Sequence, residues 1–145
     1  GATLAIGTDG AASNNDLDMI GETRTAAILA KAVAEDAAAL SAAEALRAAT
    51  WGGAKAMGLD DLIGTLEPGK QADIACIDLG QIETQPLHHV ISQVVYATGR
   101  NQVSDAWIAG KPKLRARKLV DMDEAGILAN ARPWRQRIGA VEIAR

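Results

Sequence analysis

Cysteine is nearly missing from this 145-residue chain: Cys76 stands alone, so no internal disulfide can form, and a reducing cytoplasmic setting is expected. Basic excess is missing too. The net charge of −3 offers no footprint for nucleic acid, so no nucleic-acid partner is expected. No apolar run approaches the roughly 20 residues that span a bilayer, which argues against a membrane partner. The opening Gly1-Ala2-Thr3-Leu4 has no Met, no basic stretch and no cleavage signature. It begins almost inside a strand, which leads us to expect a fragment. Histidines number only two, His88 and His89. Internal repeats and low-complexity tracts are absent beyond alanine-rich helix. What remains is an ordinary globular balance, 48% hydrophobic and 23% charged. That suffices for one domain with a core, but a complete (β/α) barrel takes about 250 residues.

The most informative stretch is Leu4-Ala5-Ile6-Gly7-Thr8-Asp9-Gly10-Ala11-Ala12-Ser13-Asn14-Asn15-Asp16-Leu17-Asp18-Met19. Residues 3–8 read as a short buried parallel strand. The strand delivers Asp9 at its tip, where barrel enzymes place catalytic side chains. A plainer role for Asp9 stays open, since an Asp before Gly readily accepts a hydrogen bond from its own turn.

Ser13 to Asp16 can offer oxygens to the free amides of the helix that follows, and Asp16 and Asp18 suit its positive end. That helix is expected over Leu17–Glu35, with Met19/Ile20, Thr23, Ala26/Ala27, Ala30 and Val33/Ala34 on its packed face and Gly21 as a mild flaw. Ser41-Ala42-Ala43-Glu44 predicts a capping box and a second helix packed through Ala45/Leu46, Ala49, Gly53 and Ala56/Met57, stopping at Gly58. Trp51 reads as a core or edge aromatic. Ile63–Lys70 reads as strand and turn, with Pro68-Gly69 in a type II turn. The spacing around Gly69-Lys70 fails the phosphate-loop pattern.

Gln71–Leu79 is β-like around Ile74, Cys76 and Ile77. Gly80–His89 reads as loop, and Val90–Tyr96 fits either a short helix or a strand. Val103–Ala109 alternates as a strand, and Lys113–Val120 follows as another, with Pro112 confined to its edge or start. Asp121 can cap a last helix that Pro133 is expected to interrupt. Arg132, Arg135, Arg137 and Arg145 read as a solvated face. Cys76 is expected to be a small buried apolar residue.

The run LAIGTDGAASNNDLDM resembles the last barrel strand and following loop of the amidohydrolase superfamily, and LEPGKQADI and SQVVYATGRNQVSDAWIAGK extend the likeness over most of the chain. Within the superfamily it is most similar to 5-methylthioadenosine/S-adenosylhomocysteine deaminases and the related triazine hydrolases and chlorohydrolases. The resemblance implies an α/β fold: the C-terminal part of a metal-dependent (β/α)8 TIM barrel, its last strand plus helices, over residues 1–60. It also implies strands of a small composite β-sandwich over 61–120, with a short helix near 90–97, and a C-terminal helical segment over 121–145. The likeness favours the helix for Val90–Tyr96.

For activity, the resemblance implies hydrolytic deamination of a purine nucleoside by water activated on a divalent metal, with zinc expected. Asp9 matches the carboxylate that ligates the metal and handles the water's proton. The family's His-x-His strand, its His-x-x-Glu pattern and its further His are not in this chain, so His88 and His89 are expected to be surface or packing residues. The chain alone is therefore expected to be inactive. Its implied partners are a small-molecule substrate and the missing N-terminal portion of the same protein, with homo-oligomerisation also open. The alternatives are a triazine or aminated-pyrimidine hydrolase and, in another class, a non-catalytic interaction or scaffolding module.

Overall fold

Asp18, rather than the residues before it, starts the first helix. Its carboxylate accepts the Ile20 N–H at 3.0 Å, and α1 runs Met19–Ala34. The start expected at Leu17 is displaced because Leu17 takes a positive φ of 34°, outside the helical region. The structure, a computed structural model, describes residues 2–142. Arg145 therefore lies outside the described residues. On α1, Thr23 and Ala27 are buried, whereas Val33, expected on the packed face, is 77% exposed.

The capping box at Ser41 is present as anticipated. The Ser41 hydroxyl accepts the Glu44 N–H, and the Glu44 carboxylate accepts the Ser41 N–H at 2.7 Å. Helix α2 (Ala42–Arg47) continues through a π-helical turn, Ala48–Gly52, into α3 (Gly53–Ala56). A wider turn rotates everything after it. The buried face accordingly runs through Ala42, Ala45, Ala48, Gly52 and Ala54, while Ala56 and Met57, expected inside, are exposed. Gly58 ends the run in a left-handed conformation (φ 68°). The Gly58 N–H reaches Lys55 O at 3.1 Å and the Leu59 N–H reaches Ala54 O at 2.9 Å, both bonds of a Schellman closure.

Helix α4 (Val90–Tyr96) packs on this pair, and the core cluster is Ala27, Ala42, Ala45 and Val95, with Leu40, Leu46 and Ile91 half-buried around it. Side chains this small let helix axes approach closely.

Beyond the helices lies a four-stranded antiparallel meander in the order β1 (Ile74–Ile77), β2 (Val103–Ile108), β3 (Lys111–Arg115), β4 (Lys118–Leu119). Ala109 and Gly110 (φ 48° and 74°) make the type I′ turn that matches strand twist. Ala116 and Arg117 repeat that conformation, so the single strand expected over 113–120 is divided into β3 and β4. Pro112 pairs with Trp107 on one side and lies beyond the residues that β4 covers, where no donor is needed.

Several expectations are corrected. Residues 2–10 form no strand, because no described strand lies beside them to complete a ladder; instead the Ile6 N–H donates to Ala48 O at 3.3 Å. Ile63–Leu66 is bend rather than strand, although the Glu67–Lys70 turn closes at 3.2 Å around Gly69 (φ 95°). Helix α5 (Glu124–Glu142) runs through Pro133 without a break, since the carbonyl that proline cannot satisfy faces water on an exposed helix. Asp123, not Asp121, holds its first turn, accepting the Gly126 N–H at 3.0 Å; Asp121 pairs with Lys113 at 3.2 Å.

The accessible surface is 10375 Å². A compact monomer of 15.1 kDa presents roughly 7,100 Å². Much of the difference is apolar: Ile28 and Leu29 on α1 and Ile127, Trp134 and Ile138 on α5 are all more than half exposed. Among the described residues, no helix is long and apolar enough to cross a membrane.

Candidate functional site

The segment leading to Asp9 is seated by small residues. Gly52 lies against the Leu4 carbonyl so tightly that a Cβ there would collide with it. Asp9 follows with a φ of 59°, a conformation Asp tolerates better than most residues. Its carboxylate accepts the Gly10 N–H at 2.7 Å. That bond, helped by the Ser13 hydroxyl, holds the Asp9 carboxyl below its ordinary value of 3.8, and the group is fully exposed. The turn bond anticipated for an Asp before Gly is thus present. At neutral pH the carboxylate is ionised, the form that can ligate a metal.

The loop after Asp9 folds on itself. The Ser13 and Asn14 N–H groups donate to Gly10 O at 3.0 and 2.9 Å. Asn14 Nδ2 donates to Glu22 Oε1 at 2.8 Å, and Asn14 Oδ1 accepts the Asp16 N–H at 2.9 Å. Oxygens expected to serve the helix amides therefore serve the loop, and Asp16 forms an ion pair with Arg100.

The other singled-out residues lie elsewhere. His89 Nδ1 accepts the Ser92 N–H at 3.2 Å and caps α4; both histidines are exposed. Trp51 sits between the Arg47 guanidinium at 4.0 Å and the Lys55 ammonium at 4.7 Å, an edge position. Lys70 Nζ donates to Asp60 O at 2.7 Å and Thr65 Oγ1 at 2.6 Å. Cys76, expected to be buried, is exposed: β1 is the sheet's edge strand, and no described layer covers that side. Arg24 and Arg100 were not singled out from sequence. Their partners lie 71 to 84 residues away, and no local pattern announces them.

Among the described residues no group of three or more His, Cys, Asp or Glu is placed to hold a metal ion. Catalytic zinc sites take three protein ligands and an open position. An ionised carboxylate such as that of Asp9 is chemically suited to one oxygen position of such a set, and the described residues do not complete it.

Residues 1–113 match the Amidohydrolase family. The chain belongs to the amidohydrolase family. This amidohydrolase chain is 49% identical over 140 residues to the 5-methylthioadenosine/S-adenosylhomocysteine deaminase of Teredinibacter turnerae, covering 97% of itself and 32% of that protein. Its fold matches the crystal structure of an adenosine deaminase from Xanthomonas campestris with bound zinc at a TM-score of 0.92 and 68% identity, over 96% of this chain and 32% of that one. The atrazine chlorohydrolase TrzN from Arthrobacter aurescens, complexed with zinc, matches at 0.83 and 31% identity, over 90% and 29%. The amidohydrolase chain thus spans about a third of the length of these relatives.

Proposed function

We propose that this chain supplies the Asp9-bearing third of a metal-dependent hydrolytic deaminase, acting on the exocyclic amino group of a purine nucleoside of the S-adenosylhomocysteine or 5-methylthioadenosine type. The observation that carries this reading is the near-complete match to a zinc-bearing adenosine deaminase structure. In the whole protein, the stretch up to residue 60 would belong to a (β/α) barrel and 61–120 to a small β-sandwich, followed by the helix Glu124–Glu142.

Zinc, when bound, supplies Lewis-acid activation of water near neutral pH. Asp9 contributes an ionised oxygen ligand and receives a proton. That proton, taken from the activated water, would pass to the leaving ammonia. The remaining ligands and the proton donor to the ring come from the rest of the protein. That rest also covers the exposed apolar surfaces, among them a groove of about 660 Å³ walled by Leu46, Ile63, Leu66, Ile74, Val90 and Val94.

A triazine hydrolase is the second reading, favoured by the TrzN likeness. Ammonia and chloride release by the full-length protein, over S-adenosylhomocysteine, 5-methylthioadenosine, adenosine and atrazine, separates the two. Asp9→Ala is expected to lose zinc and turnover together. Unchanged turnover in that variant removes Asp9 from the mechanism.

A further inference from the structure

Two arginines tie the region of α1 to the stretch between α4 and β2, in opposite directions. Arg24 on α1 is half-buried; its Nε donates to Val95 O at 3.3 Å and its Nη2 to Thr98 O, closing the end of α4. Arg100 reaches back the other way. Its Nη1 donates to Asp16 O at 2.9 Å and pairs with the Asp16 carboxylate. The corner that carries Arg100 is rigid. Thr98 is fully buried, and the nearly buried Gln102 side chain accepts the Gly99 N–H at 2.9 Å and donates to Asp78 O at 3.2 Å.

An isolated exposed ion pair contributes little. Here, however, one guanidinium from a fixed corner holds both the backbone and the side chain of Asp16. Between Asp9 and Asp16, the loop's other hydrogen bonds run within itself or to the adjoining α1. Arg100 is therefore its tie to the sheet side.

We propose that Arg100 is a positioning residue for Asp9, with the corner at 98–102 setting where the Asp9 loop presents its carboxylate. This rests on the assignment of Asp9 as the metal-ligating group. Misplacement of such a group by a fraction of an ångström lowers turnover without weakening substrate binding.

The test uses the full-length zinc-loaded protein. Arg100→Ala is expected to lower kcat about tenfold while KM stays within about twofold, and Arg100→Lys to recover part of the loss. Asp16→Ala, which keeps the bond from Arg100 to the backbone oxygen of residue 16, should show a smaller loss in the same direction, and the double variant should be no worse than Arg100→Ala alone. Arg117→Ala removes another surface ion pair, Arg117–Asp78 at 3.3 Å, and should leave kcat unchanged. Independently of activity, hydrogen exchange at the amides of residues 10–16 should speed up in Arg100→Ala. Wild-type kcat in Arg100→Ala, or unaltered exchange across 10–16, overturns the proposal. If Arg100→Ala lowers the yield of folded protein, Asp16→Ala carries the test from the other side. Asp9→Ala run in parallel separates the two failures: full turnover there defeats the Asp9 assignment and the positioning role with it. Lost turnover in Asp9→Ala beside an unaffected Arg100→Ala defeats the positioning role alone.

Discussion

Residues 4–8 and residues 103–108 are both short strand-like stretches with β-branched members, and they end in opposite conditions. The second, β2, pairs with β1 on one side and β3 on the other. The first lies along the π-helical turn after α2 and is tied there through Ile6 N–H and Ala48 O. A strand-like sequence expresses a preference, and neighbouring backbone supplies the bonds that realise it. The meander finds that backbone within the chain. The Asp9 segment does not, and its carboxylate is exposed. Stability is thus concentrated in one β-like run, and the proposed chemistry hangs from the other.

The comparison is tested most severely at two aspartates in the full-length protein. Asp9→Ala is expected to cut ammonia release by at least about 100-fold. Asp105→Ala, which frees the Ala116 N–H at a hairpin turn and the Arg115 guanidinium, should leave kcat within about twofold and lower Tm instead. Comparable losses of kcat in the two variants would erase the distinction.

Gly52→Ala comes next. The added Cβ pushes on the Leu4 carbonyl, costing about 2 kcal/mol by denaturant unfolding and lowering kcat as the Asp9 segment shifts. Gly64→Ala makes an equally useful contrast. Its Cβ would sit 2.7 Å from that of Ala54, at a φ of 93°, so stability should fall while kcat holds. If Gly52→Ala leaves kcat untouched, the segment is not seated by that helix.

Ser41→Ala removes the capping box and should cost about 1 kcal/mol, read as a lower Tm with unchanged kcat.

The smallest effect is on pH dependence. Asp78, just after β1, and Asp105 in β2 are both held below the ordinary 3.8, chiefly by hydrogen bonds from Gly80 and Gln81 and from Ser104 and Ala116. A carboxylate depressed in the folded state stabilises fully above its ordinary value, and that stabilisation is lost as pH falls through the lower folded value. Tm should therefore hold from neutrality down to about pH 4 and fall below it. Asp78→Asn with Asp105→Asn should flatten that fall, and an unaltered acid limb in the pair would remove the sheet carboxylates as its cause.

Local features were legible from residue order alone. The Ser41–Glu44 box, the Gly58 stop, the Glu67–Lys70 turn and the β1 and β2 strands each arise from bonds closed within a few residues, or from alternation that any half-buried strand shows. The resemblance carried by TDGAASNNDLDM led to the family and to Asp9. Tertiary structure decided the rest. Whether residues 3–8 pair, whether Cys76 is covered, and which face of the second helix packs after its π turn all depend on what lies alongside. The arginine clasp joins Asp16 to Arg100 across 84 residues, where no periodicity reaches. Short-range hydrogen bonding and side-chain alternation are written in neighbouring residues; burial and long-range pairing are properties of surfaces brought together, and they exist only once the chain has folded.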